Sequence, residues 1–402
     1  MAEPKTRKPK GEGSFFKTAA GKYRGYVTVD GKRKYFTAAT AAEAAQKLRT
    51  LTTQKERGIV ATGKTPTLAD WMQQWLASAD LKPGTAAAYE HNLTHYIAPH
   101  IGHHRLTDLK PEHLELFYKE LAAGKHSRVR MVEEMIGGKK VRRKMQAPLS
   151  ARTIGNVHAN IRRALNVAMQ RGHVYRNVAL MITPPRKPKP ATTSFSAADA
   201  RRILEVASED RYAARWHLAL MYGLRPSEAL GITWPAVDLN RKTIAVGRQL
   251  QNVRGKGLMM IDHAKTAAGD RIIHIPDLIV EQLKRTRAQQ LQDRLDHDDY
   301  VEWEYEGHPV ALVFTQPNGK PLYGKLDGER WKELLDKAGL PHARRYQARH
   351  TAASLMIDMG VDVSVVASTL GHSNTSFTYD TYVHPLEQRK RDLADLMGDF
   401  AR

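Results

Sequence analysis

The sequence predicts a multidomain, mostly α-helical chain with small β-sheets: a sheet-plus-helix N-terminal domain, an all-helical domain, and a mixed α+β domain after it. The first reason is length, because 402 residues exceed what one hydrophobic core usually organises. The second is the stretch TPPRKPKPATTS at 183–194, whose Pro, Lys and Thr read as an extended, semi-rigid linker. The third is a change of apolar period, from alternation near the N-terminus, to spacings of three and four after Thr65, to helices interleaved with short strands beyond the linker. Domains are therefore expected at 1–62, 63–182 and 195–402, with the linker at 183–194.

Residues 22–37, KYRGYVTVDGKRKYFT, alternate around the two-residue turn signal Asp30-Gly31 and predict a β-hairpin within a three-stranded sheet. Thr40 to Arg57 is rich in Ala, Lys and Glu and free of Gly and Pro, so it should form a helix laid against that sheet. Lys22, Arg24, Lys32, Arg33 and Lys34 interleave there with Tyr23, Tyr26 and Tyr35, the make-up of a β-ribbon that can enter a DNA groove. A solvated basic sheet with a small tyrosine core fits the same pattern. Next, Thr67 suits an N-cap, and Leu68, Trp71, Met72 and Trp75 share one helical face. Pro83-Gly84 should break the chain before a second helix through Tyr89, Leu93 and Tyr96. A third helix runs from Pro111 to Leu121, and a fourth carries Ile154, Val157, Ile161 and Leu165. Between these two, Gly124 to Met145 is rich in Lys and Arg and contains Gly137-Gly138, which predicts a basic loop or hairpin. Beyond the linker, strands are expected at KTIAV 242–246, LMMID 258–262 and RIIHI 271–275.

Sixty-three Lys and Arg against 42 Asp and Glu give a net charge of +21, which draws the chain to a polyanion through counterion release, nucleic acid first. The absence of cysteine removes disulfides, thiolate nucleophiles and Cys-based zinc sites. No apolar run approaches the roughly 20 residues of a membrane helix. The Lys- and Pro-rich start, Met1 to Gly11, is not followed by the apolar core of a secretory signal, so a cytoplasmic location is expected.

The residues able to carry chemistry lie after the linker. Arg225 follows an apolar helix end and precedes Pro226, which can open a new helix, so it sits at a junction with Glu228 within reach. Lys265, in AKTAAGD, falls between two strands whose ends direct it to one sheet edge. Tyr346 and Arg349 share one face of the helix opened by RYQARHT. Gly371 suits a left-handed C-cap, with His372 emerging just beyond it, and Tyr379 and Tyr382 follow. His342, His350, His372 and His384 match no metal-binding spacing, so no metal or other cofactor is expected, and His350 is expected on the helix side away from the site.

In this order, GLRPSEAL, the β-hairpin lysine Lys265, RYQARHTAASL, LGHS and TYDTYVH resemble the tyrosine recombinases, site-specific recombinases of the phage-integrase type, over about residues 195–385. The two upstream domains are similar to that family's arm-type DNA-binding domain and helical core-binding domain. The resemblance implies a Tyr382 nucleophile that forms a 3′-phosphotyrosyl bond and frees a 5′ hydroxyl, keeping the broken bond's energy for rejoining without ATP or metal. It assigns Arg225 and Arg349 to the phosphate oxygens, Lys265 to protonation of the leaving oxygen, and His372 to the phosphate or the nucleophile. Tyr346 stands where many members carry His and cannot act as a neutral-pH base with a reference pKa near ~10, though it can donate a hydrogen bond to phosphate. Implied partners are double-stranded DNA attachment sites of core and arm type, a homo-tetramer on DNA, a host DNA-bending protein and an excisionase. The amphipathic stripe Leu386, Leu393, Leu396, Met397 and Phe400 packs either on its own domain or on a neighbouring protomer. Type IB topoisomerases share the tyrosine chemistry, but a separate N-terminal DNA reader favours a recombinase. A binding protein that kept the fold without chemistry would not need the full residue set.

Overall fold

The computed structural model describes residues 13–29, 32–56, 65–125, 129–136, 139–186, 194–262, 270–372, 379, 394 and 397–401. Its contacts divide the chain into two compact units, Met1–Lys189 and Pro190–Arg402.

The first unit opens with an antiparallel sheet of β1 (Ser14–Lys17), β2 (Tyr23–Val29) and β3 (Lys32–Ala38), in that spatial order. β2 and β3 pair with Val29 opposite Lys32, the register of a two-residue hairpin, while Asp30 and Gly31 themselves lie outside the described residues. α1 (Ala41–Glu56) packs on this sheet, where Val27 is buried against Leu48 and Leu51. The tyrosines are not that core. Tyr35 is exposed, and the guanidiniums of Arg24 and Arg33 lie over the rings of Tyr35 and Tyr26 at 4.9 and 4.5 Å.

The helical part contains α2 (Leu68–Ser78), α3 (Pro83–Asn92), a π-helical turn at Leu93–Ile97, α4 (Ala98–His100), α5 (Pro111–Ala122) and α6 (Ala151–Gln170). The Thr67 hydroxyl accepts the Asp70 N–H at 3.2 Å, capping α2 as its sequence predicts. Pro83 opens α3 from within its first turn, where its missing N–H costs nothing. Trp71, Met72 and Trp75 enter a common core with Leu114, Phe117, Ile154 and Ile161, and the Trp71 indole donates to the Ala164 carbonyl at 2.8 Å. The basic segment after α5 is a hairpin, β4 (Val129–Ile136) paired antiparallel with β5 (Lys139–Gln146).

The second unit runs α7 (Ala197–Ser208), α8 (Ala213–Tyr222), α9 (Pro226–Leu230), β6 (Val237–Asp238), β7 (Thr243–Val246), β8 (Arg248–Val253), β9 (Gly257–Asp262), β10 (Arg271–His274), α10 (Asp277–Asp296), β11 (Glu304–Tyr305), β12 (His308–Pro309), α11 (Gly324–Lys337), α12 (Tyr346–Asp358) and α13 (Val363–Leu370). Its core gathers Trp216, Leu220, Leu230, Ile244, Leu283, Phe314 and Trp331. The strands form separate ladders, β10-β7-β6 and the hairpin β8-β9. β8, RQLQNV, is too polar to stand out in sequence, yet it buries Leu250 and Val253. Lys265 lies outside the described residues. Because β9 and β10 belong to different ladders, the connection that carries it joins two sheets and is not the turn of a single hairpin.

Helix α12 packs against α8 and α13. Its entry is fixed by a buried ion cluster, in which Asp327 accepts Nε and Nη2 of Arg215, both at 3.1 Å, and a third bond from Arg345, the residue just before α12.

Candidate active site

Two left-handed glycines set the frame. Gly223 (φ 62°) ends α8, and the chain turns at once into α9, which Arg225 caps. The positive φ of Gly223 favours glycine, and a Cβ there would press the Leu370 side-chain tip at 2.4 Å and Arg349 Cγ at 3.3 Å. Gly371 (φ 68°) ends α13 in the same way and turns His372 out of the helix, with its N–H donating to the Ala367 carbonyl at 2.9 Å.

Around this frame the cations converge. Arg225 Nη1 donates to Glu228 Oε1 at 2.5 Å, and its Nη2 donates to the Gly371 carbonyl at 3.2 Å. The second Glu228 oxygen accepts the Arg225 backbone N–H and Arg271 Nη2, both at 3.0 Å. Arg349, whose side chain is 1% exposed, comes from α12 and donates Nη1 to the Gly223 carbonyl at 2.8 Å. Its Nε and Nη2 are buried and have no hydrogen-bond partner among the described residues. Two unsatisfied N–H edges on a buried guanidinium are costly, and an anion is the ligand that satisfies them best.

The crowding shifts the protonation equilibria of the site. Burial, reinforced by Arg349, Arg225, Arg271 and His350, pushes the His372 imidazole down to about 4, so it is neutral at pH 7. Burial and the neighbouring Arg225 lower the Arg349 guanidinium to about 10, which leaves it charged at neutral pH. Burial alone would raise the Glu228 carboxyl, but Arg271 and Arg225 outweigh it and hold it below its ordinary value.

Of the residues expected at the site, Arg225, Arg349 and His372 come together, and Tyr346 lies on α12 one turn before Arg349 with 44% exposure. Lys265 and Tyr382 lie outside the described residues, whereas Tyr379 is described as helical and exposed. His350 is not turned away. Its ring meets Tyr346 edge-on at 5.3 Å. Arg271 escaped the sequence reading, because a strand-initial arginine gives no signal of burial. Lys22, Arg24, Arg33 and Lys34 are exposed on the N-terminal sheet; the Lys32 side chain is outside the described set. Among the described residues, no group of three or more His, Cys, Asp or Glu could hold a metal ion, and no helix is long and apolar enough to cross a membrane.

Residues 194–389 match the phage integrase family, and residues 67–122 match the N-terminal SAM-like domain of phage integrases. An integrase of Saccharopolyspora erythraea is 25% identical over 464 residues, spanning 100% of this chain and 99% of its own. One from Streptomyces ambofaciens is 29% identical over 360 residues, spanning 85% and 82%. Among solved structures, the Tn1549 transposon integrase in complex with transposon right end DNA is similar at a TM-score of 0.64 and 18% identity, covering 82% of this chain and 99% of that one. A lambda integrase tetramer bound to a Holliday junction is similar at 0.50 and 13%, covering 94% and 96%.

Proposed function

The chain belongs to the phage integrase family of tyrosine recombinases, and from that premise we propose that it cleaves and rejoins DNA at specific sites through a 3′-phosphotyrosyl bond to Tyr382, integrating or excising a mobile element. The observation that carries this reading is the buried Arg349 with two undonated N–H edges beside Arg225 and His372. A scissile phosphate bound there receives donors from both guanidiniums, and the interaction strengthens as charge accumulates on the non-bridging oxygens in the transition state.

In the proposed step, Tyr382 Oη attacks phosphorus, the bond from phosphorus to the 5′ oxygen breaks, and Lys265 protonates the departing oxygen. The phenol proton passes to the neutral His372 imidazole as the new ester forms. His372 enters as a neutral imidazole with one nitrogen to accept and one to donate. Tyr346, exposed at the mouth of the site, is the further phosphate donor, and rejoining reverses each transfer.

The exposed Lys22, Arg24, Arg33 and Lys34, with two guanidiniums stacked on tyrosine rings, support a role for the N-terminal sheet in contacting arm-type DNA, while the helical part of the first unit would grip core sites. The lambda integrase tetramer supports a homo-tetramer on DNA here too, with a host DNA-bending protein and an excisionase as further proposed partners.

Denaturing electrophoresis after incubation with a nicked suicide duplex tests the nucleophile. Tyr382→Phe should retain DNA binding and lose the covalent adduct, because only the attacking oxygen is removed. An adduct that persists in Tyr382→Phe and disappears in Tyr379→Phe moves the nucleophile to Tyr379.

A further inference from the structure

Arg271 is the cation that the proposed chemistry leaves unused. Its side chain is only 7% exposed, although it opens a strand at the rim of the second unit. Its guanidinium spans two elements distant in sequence, with Nη2 donating to Glu228 Oε2 at 3.0 Å and Nε donating to the Thr369 carbonyl at 2.7 Å. We propose that Arg271 is a positioning residue: by holding the Glu228 carboxylate and the end of α13 together, it sets the Arg225 fork and His372 against the scissile phosphate. The proposal rests on the reading above, in which Arg225 and His372 receive that phosphate.

Each contact has a separate physical consequence. Glu228 is fully buried and negative, so with one cationic partner removed it would pull Arg225 inward, away from any phosphate. Sharing that charge with Arg271 leaves Arg225 Nη2 directed at Gly371, where the site opens. Thr369 lies in the last turn of α13, whose carbonyls lack helical partners, and Arg271 supplies a charged donor two residues before the Gly371 turn that presents His372. A lysine could satisfy one of the two acceptors but not both, because it lacks the planar fork.

The test is single-turnover cleavage of a suicide duplex bearing either an ordinary diester or a neutral methylphosphonate at the scissile position. The wild type should form a Tyr382-dependent adduct with the diester. Arg271→Gln should slow the diester reaction by about 30-fold and the methylphosphonate by less than about 3-fold, since the Arg225 fork matters most where an anionic oxygen is present. Binding in a gel shift should stay within about 3-fold of wild type. Arg271→Lys, which keeps the buried charge should the glutamine variant fail to fold, should lose about 10-fold on the diester alone. Equal slowing of both substrates, or none, overturns the positioning role and leaves the integrase reading intact. A wild type that forms no adduct with either substrate overturns the integrase reading, and the role of Arg271 with it.

Discussion

His372 pays for its company in protonation. Its folded value of about 4 lies below the ordinary 6.5, so between those values the unfolded chain binds a proton that the native state refuses. The stability this group contributes is complete above pH 6.5 and is lost as pH falls toward about 4. Urea melts at pH 7 and pH 5 should therefore show a smaller acid-induced loss in His372→Asn than in wild type, even though other buried histidines, such as His217, push both proteins the same way. Identical losses would count against the crowding of His372 by three arginines. At this scale the site was legible where a residue sits at chain punctuation: Arg225 before Pro226, His372 after Gly371, Arg349 on the helix that Tyr346 opens. Arg271 was not legible, because its partners lie 43 and 98 residues away and no local pattern records them.

Among the elements, α12 shows how the helix that carries the buried Arg349 is held from its entry. Asp327, fully buried, binds both Arg215 and Arg345, and Arg215 is as buried as Asp327. Asp327→Ala leaves the Arg215 charge uncompensated inside the core, and the expected cost is about 3–5 kcal/mol. Chemical denaturation measures it; a loss below about 1 kcal/mol would mean that water reaches the guanidinium and the cluster is not the anchor inferred here. Sequence foresaw the β2–β3 hairpin because Asp30-Gly31 is a two-residue turn signal between two alternating runs, and the Val29–Lys32 register of the strands agrees with it. It foresaw α2 because Thr67 caps an apolar face. It overlooked β8, whose Gln and Asn residues hide the two buried side chains, and so it joined β9 and β10 into one hairpin where the ladders keep them apart.

For the molecule as a whole, a charge of +21 favours association with a polyanion such as DNA. The described end of the chain leaves apolar surface uncovered, with Phe400 87% exposed and Met397 exposed beside it. Removing the residues after Pro385 should weaken cooperative assembly on a two-site duplex more than binding to a single site. A native gel comparing the two duplexes decides it, and equal assembly by the truncated and full chains excludes the tail as a bridge between protomers.

The peptide at Gly223 has a consequence for how the two guanidiniums are spaced. Its carbonyl holds Arg349, which lies 126 residues further along the chain, while Arg225 leaves the same turn two residues later. The turn thus touches both cations, anchoring Arg349 through its carbonyl and leading into the backbone of Arg225, while Glu228 and the Gly371 carbonyl hold the Arg225 fork itself. A displacement of α8 would therefore move Arg349 while the Arg225 guanidinium stays tied to Glu228 and Gly371, so the gap between the two cations depends on α8, α9 and α13 at once.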